Sequence, residues 1–111
     1  MALPRKNRLT IKKDIDRVFR NGGTVKGSFL FIRLLKNRNE YPRFAFIVST
    51  KHVPLAVDRN KIRRMLSEEI ANIHLPGHRY DIVVVICKKI ERRQIKEVVE
   101  DLIKTIREIW S

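Results

Sequence analysis

Residues 80–87 read Tyr80-Asp81-Ile82-Val83-Val84-Val85-Ile86-Cys87. The run is nearly continuous in apolar residues. A strand with one solvated face alternates apolar and polar positions, and this one does not. It is expected at the centre of a sheet, covered on both faces. Cys87 is the only cysteine, so no intramolecular disulfide can form. It is expected inside the strand as a small buried hydrophobe.

The neighbouring segments supply what such a strand packs against. On its C-terminal side, Glu91–Trp110 carries Ile95, Val98, Val99, Leu102, Ile106, Ile109 and Trp110 on one helical face. That is about 20 residues, or ~30 Å of axis. On its N-terminal side, Ile62, Met65, Leu66, Ile70 and Ile73 form a second helical stripe. Asp58 can cap that helix, and Pro76-Gly77 ends it. Further upstream, Phe29–Leu35 and Arg43–Ser49 read as strands. They are expected to pair as a hairpin across the polar turn Asn37–Pro42. A short extra strand is expected near Thr24-Val25. Ile11, Ile15, Val18 and Phe19 mark a first helix, with Thr10 as its cap and Asn21-Gly22-Gly23 as its left-handed end. Residues 1–9 form an expected basic arm, its start kept extended by Pro4. There are no repeats and no linker. The chain of 111 residues reads as one domain, 1–111.

Charge is distributed unevenly. The net charge is +13, and residues 1–64 hold 17 Lys/Arg against 4 acids, which accounts for all of it. Residues 65–111 hold 8 of each sign. A surface built only for solubility intersperses its signs. This excess opposes compaction, and a polyanion would relieve it. Nucleic acid is therefore the expected partner. No apolar stretch of about 7–15 residues follows the basic start, as a secretory signal requires. No run approaches the ~18 residues of a membrane span. A cytoplasmic protein is expected.

Catalysis by the chain itself is not expected. Metal-assisted nucleases converge carboxylates on their ions. The basic part offers only Asp14, Asp16, Glu40 and Asp58. His52, His74 and His78 lack a cysteine pair and read as loop residues, not as zinc ligands. The start of the second helix is different. Arg59, Lys61, Arg63 and Arg64 stand where a helix disfavours cations, with Asn60 among them. An anion there would reverse the penalty, and phosphate suits backbone N–H groups and Arg forks together.

The stretch Ala56-Val57-Asp58-Arg59-Asn60-Lys61-Ile62-Arg63-Arg64 resembles the Arg-Asn-rich signature of the bacterial ribonuclease P protein subunits. Three further segments agree in order: Arg8-Leu9 with Asp14–Gly22, Arg43–Lys51, and Tyr80–Val85. The resemblance spans essentially the whole chain. It implies an α/β two-layer sandwich, α-β-β-(β)-α-β-α, with the topology of the second domain of a small-subunit ribosomal protein. It also implies a left-handed β-α-β crossover, where the general rule gives a right-handed one.

The resemblance further implies a protein cofactor of a ribozyme, the catalytic RNA of ribonuclease P. That RNA removes the 5′ leader of precursor tRNA by Mg²⁺-dependent hydrolysis. One protein copy per ribozyme is implied, with no protein catalytic residue, no protein-bound metal, no DNA and no membrane. By position, Arg59, Asn60, Lys61, Arg63 and Arg64 would face the ribozyme. Ile15, Phe19, Ile32, Ser49 and Lys51 would hold the leader. Arg8, Lys12, Lys13 and Arg17 would add basic contacts. The family usually has an aromatic at the position of Ile15 and another near Ile32. The loop His52-Val53-Pro54-Leu55 is one residue longer and lacks a glycine, and Ser67 replaces a common Arg.

The alternative is a ribosomal-protein-like RNA-binding domain without a role in tRNA processing. A helix-turn-helix module is disfavoured by the strands Phe29–Leu35 and Ile82–Ile86.

Overall fold

Four strands form one sheet: β1 (Gly23–Lys26), β2 (Leu30–Lys36), β3 (Arg43–Ile47) and β4 (Tyr80–Ile86). The helices are α1 (Lys12–Asn21), α2 (Ala56–Asn72) and α3 (Ile95–Trp110). The computed structural model describes residues 3–39, 41–72 and 79–110, without the Trp110 side chain. The expected ends at Ile73 and Pro76-Gly77, with Glu40, His74 and His78, lie outside them.

The strand order is β1-β2-β4-β3, so the apolar run does occupy an inner position. β2 pairs with it antiparallel and β3 parallel, with α2 crossing between β3 and β4. The expected hairpin between β2 and β3 does not form. β4 needs a hydrogen-bonding neighbour on each edge and lies between them. The hairpin is instead made by β1 and β2, in register from Gly23↔Leu34 to Lys26↔Phe31. Its turn is pinned from α3: Asp101 accepts the N–H groups of Ser28 at 2.9 Å and Phe29 at 2.8 Å. At Gly27 a Cβ would lie 2.6 Å from Asp101 Oδ2 and 2.7 Å from Thr105 Oγ1, so a larger residue would push aside the side chains that hold this turn.

Alternation along the strands sorts side chains to two faces. Leu30, Ile32, Phe44, Ile82, Val84 and Ile86 point to α2 and α3 and form the main core with Ile62, Leu66, Val98 and Leu102. Ala45, Ile47, Val83 and Val85 point the other way, toward Val18 of α1 and Leu9.

Several local expectations are corrected. The N-terminal residues are not a free arm. Leu3 and Leu9 are buried, residues 5–7 make a 3-10 turn, and the Leu9 N–H donates to the Phe44 carbonyl at 2.8 Å. They cover the open edge of β3, which would otherwise expose unpaired backbone. Thr10 caps nothing; α1 follows Ile11 without a side-chain cap. Gly22 ends α1 with φ −83°, not in the left-handed region. It is glycine because a Cβ would stand 2.5 Å from the Val18 carbonyl oxygen and 2.7 Å from that of Leu34. α2 begins two residues before Asp58, which lies in its first turn and pairs with Arg92 at 3.2 Å. Cys87 lies just past the end of β4 and is exposed, with its N–H still donating to the Phe29 carbonyl at 3.0 Å. A capping box of Glu91 and Gln94 leads into α3.

Candidate nucleic-acid interface

α1 covers only part of its sheet face. Val18 and Val83 are fully buried there, while Ile15, Ala45 and Ile47 are half-buried. The uncovered part is a groove of about 230 Å³ lined by Leu9, Thr10, Ile15, Ala45, Ile47 and Arg63. Ile15 is thus on its wall. Phe19, 37% exposed, lies one turn further along α1, and Ile11 is 59% exposed one turn before Ile15. Ile11, Ile15 and Phe19 are spaced i, i+4, i+8 and form one stripe.

Ile32 does not belong to this surface. It is 0% exposed and sits in the core under α2 and α3. The face-sorting of β2 puts its neighbour Phe31 on the groove side. Phe31 is half-buried and in register with Val85. A one-residue shift exchanges the faces of a strand completely. Phe31 thus shares the α1 face of the sheet with Val85, while Ile32 faces the core.

Two sets of polar contacts hold α1 over the sheet. Arg33 of β2 reaches the C-terminal end of α1 and donates to the carbonyls of Phe19 and, at 3.5 Å, Val18. A cation is favourable there because the helix dipole ends negative. At the other edge, Asp81 is 1% exposed despite its place in an apolar strand. Arg43 forks onto it at 2.8 and 2.6 Å and reaches Asp14 of α1 at 3.4 Å. Asn37 adds a bond at 2.9 Å. The hydrogen bond to Asp81 holds the Arg43 guanidinium still further in its charged form, outweighing desolvation. Arg17 approaches Asp14 at 3.6 Å and Asp81 at 3.7 Å, with half of its side chain still exposed.

The signature helix divides its residues by task. Arg59 is half-buried and folds back to donate to the carbonyls of Val53 at 3.0 Å and Pro54 at 2.7 Å. Arg63 donates to Asn60 Oδ1 at 3.2 Å and the Val48 carbonyl at 3.4 Å. These two arginines brace the loop and the strand end. Asn60, Lys61 and Arg64 are exposed. Ser49 is half-buried, with its hydroxyl 2.9 Å from His52 Nδ1, and Lys51 is exposed beside it. Ser67 is buried and donates to the Arg63 carbonyl, so an Arg has no room at that position without rearrangement. Arg8 lines the groove and donates to the Leu3 carbonyl at 3.0 Å. Lys12 and Lys13 are exposed on the first turn of α1.

Charge summed by halves of the chain conceals a third basic segment. Lys88, Lys89, Arg92 and Arg93 follow β4 and are exposed. The Ile90 N–H donates to the His52 carbonyl at 3.1 Å, and Arg92 pairs with Asp58. These bonds bring the segment against the loop after β3 and the start of α2. The run of four cations around Ile90-Glu91 was the available signal.

Among the described residues, no three His, Cys, Asp or Glu side chains gather in a way that could hold a metal ion. Asp14 and Asp81 share Arg43 and Arg17 as ion-pair partners. These residues do not fit a Mg²⁺ site, and no hydrolytic step is assigned to them.

Residues 3–110 match the family model described as Ribonuclease P. The chain belongs to the ribonuclease P protein family. It is 37% identical over 100 residues to the ribonuclease P protein component of Fusobacterium nucleatum, covering 84% of this chain and 89% of that one. It is 36% identical over 86 residues to that of Chromohalobacter salexigens, covering 77% and 65%. Among solved structures it is similar to the RNase P protein from Thermotoga maritima, with TM-score 0.74, 28% identity and coverage of 87% and 92%. The Staphylococcus aureus RNase P protein matches with TM-score 0.72 and 25% identity over 88% and 93%. The fold is the one the resemblance implied. Family membership makes the chain an RNA-binding part of a ribonucleoprotein nuclease of tRNA processing. No described helix is long and apolar enough to cross a membrane.

Proposed function

We propose that this chain is the ribonuclease P subunit that holds the 5′ leader of precursor tRNA beside the catalytic RNA. The carrying observation is the groove between α1 and the sheet, with an apolar wall and floor and a cationic rim that opens at the signature helix. Single-stranded RNA asks for this combination: π-faces and aliphatic walls for unstacked bases, cations for the backbone. Ile15, Phe31 and Phe19 supply the base-facing surface, and Arg8, Ser49 and Lys51 lie where the backbone would run.

Lys61 and Arg64 are exposed and free to meet structured RNA, and Asn60 keeps its amide NH2 for it while Oδ1 accepts from Arg63. Arg59 and Arg63 set the geometry of that surface from behind. Lys88 and Lys89 extend it. Hydrolysis belongs to the RNA subunit with its Mg²⁺; the protein binds and orients the substrate. One copy per ribozyme in the cytoplasm completes the reading.

The test is reconstitution. The protein is mixed with a bacterial ribonuclease P RNA and 5′-labelled precursor tRNA at low Mg²⁺. Stimulated cleavage at the mature 5′ end is expected. No stimulation would leave only a general RNA-binding domain. Cleavage by RNA-free protein would overturn the division of labour.

A further inference from the structure

A second cavity lies on the α1 side of the molecule and shares no lining residue with the groove. Its volume is about 550 Å³, within the size range of small-ligand sites. The C-terminal half of α1, the end of β2, the loop after it and the start of β3 enclose it. Arg17, Asn21, Lys36, Arg38, Asn39 and Arg43 are among its lining side chains, and among the described residues no carboxylate lines it.

These groups fall into two kinds. Arg43 is fixed by its hydrogen bonds to Asp81 and Asp14, and Arg17 stands beside the same two carboxylates, which balance the charge of the pair. Asn37, also in the lining, is committed to Asp81 and the Tyr41 carbonyl. Lys36 and Arg38 are exposed and form no ion pair with any described residue. Their charge is available to an incoming anion. Asn21 is exposed, and its amide presents a donor and an acceptor together, as base edges require. A pocket with two free cations, fixed guanidinium planes and open amides suits one nucleotide. The phosphate goes to the free cations, and the base goes against the amides and guanidinium planes.

Position says which nucleotide. On β3, Ile47 lines the groove and Arg43 lines the cavity. The two positions are four apart along the strand, or ~13 Å. Unstacked single-stranded RNA covers that distance in a few nucleotides. The signature helix contributes Arg63 to the groove and nothing to the cavity, so the cavity lies at the end remote from it. We infer that this cavity is a distinct nucleotide-binding subsite for the distal, 5′-ward part of the single-stranded leader. The inference rests on the proposed placement of the leader in the groove.

The test uses the reconstituted holoenzyme and two precursor tRNAs that differ only in leader length, about two and about ten nucleotides. The double variant Lys36→Ala/Arg38→Ala removes two exposed side chains with no described partner, so folding is not at stake. Its affinity for the long-leader substrate should fall about tenfold. Its affinity for the short-leader substrate should stay unchanged. The salt slope for the long leader should flatten by ~0.7 for each phosphate left without its cation. Equal losses on both substrates would show that the cavity meets the ribozyme or the tRNA body, and would overturn the subsite. No loss on either would overturn it as well. Phe31→Ala, measured alongside, separates the two readings. If Phe31→Ala weakens leader-dependent binding and the double variant does not, only the subsite falls. If neither affects it, the groove reading falls too.

Discussion

The two faces of the sheet are built from alternate residues of the same strands and meet opposite demands. The face toward α2 and α3 is closed. Ile32, Ile82 and Val84 are 0% exposed there, and aliphatic packing supplies its stability. The face toward α1 is closed only around Val18 and Val83, and Ile15, Ala45 and Ile47 remain half-open. There the helix is tied down by charge, through Asp81, Arg43, Asp14 and Arg17, and by Arg33 at its C-terminus. Hydrophobic burial is non-directional and removes water from everything it covers. Hydrogen-bonded ion pairs can fix a helix at its ends and leave apolar surface between them accessible. A groove for RNA needs the second arrangement.

Substitutions can test that contrast, beginning with the largest effect. Ile32→Ala should lower global stability by about 4 kcal/mol, a buried-aliphatic cavity value, read by denaturant unfolding. A loss of RNA affinity without a loss of stability would place Ile32 on the open face and break the comparison. Arg43→Ala should be next, at about 3 kcal/mol, because it leaves the Asp81 carboxylate buried with only Asn37 and the more distant Arg17. Full stability in that variant would mean that packing alone holds α1.

Phe31→Ala and Phe19→Ala should each weaken binding of precursor tRNA by ~1–2 kcal/mol while leaving mature tRNA nearly unaffected. Equal losses on both substrates would remove the residue from the leader surface. Lys61→Ala with Arg64→Ala should reduce the salt slope of ribozyme binding by ~0.7–0.9 for each phosphate no longer neutralised. An unchanged slope would take the outward face of α2 out of the interface. The smallest effect belongs to Asp58→Asn. Its partner Arg92 is largely exposed, so the change should stay under about 1 kcal/mol in unfolding.

The sequence alone determined the elements that depend on local pattern. The unbroken run Ile82–Ile86 announced an inner strand, the stripe from Ile95 to Ile109 announced α3, and the turn Arg59–Arg64 announced the family. Those signals live in periodicity, composition and a contiguous motif, which neighbours in the chain suffice to define. The tertiary structure alone decided which strands pair. It put β4 between β2 and β3, because edge hydrogen bonds are satisfied by partners remote in sequence. It also decided which face each strand residue takes, and so put Ile32 in the core and Phe31 on the opposite face. Gly22 shows the same division: glycine at a helix end suggested a left-handed turn, but close approaches to the Val18 and Leu34 carbonyls are what require it. Charge followed this rule too. Residues 65–111 sum to zero along the chain, yet Lys88, Lys89, Arg92 and Arg93 gather beside the signature helix. Electrostatic fields depend on distance in space, and only the fold sets that distance.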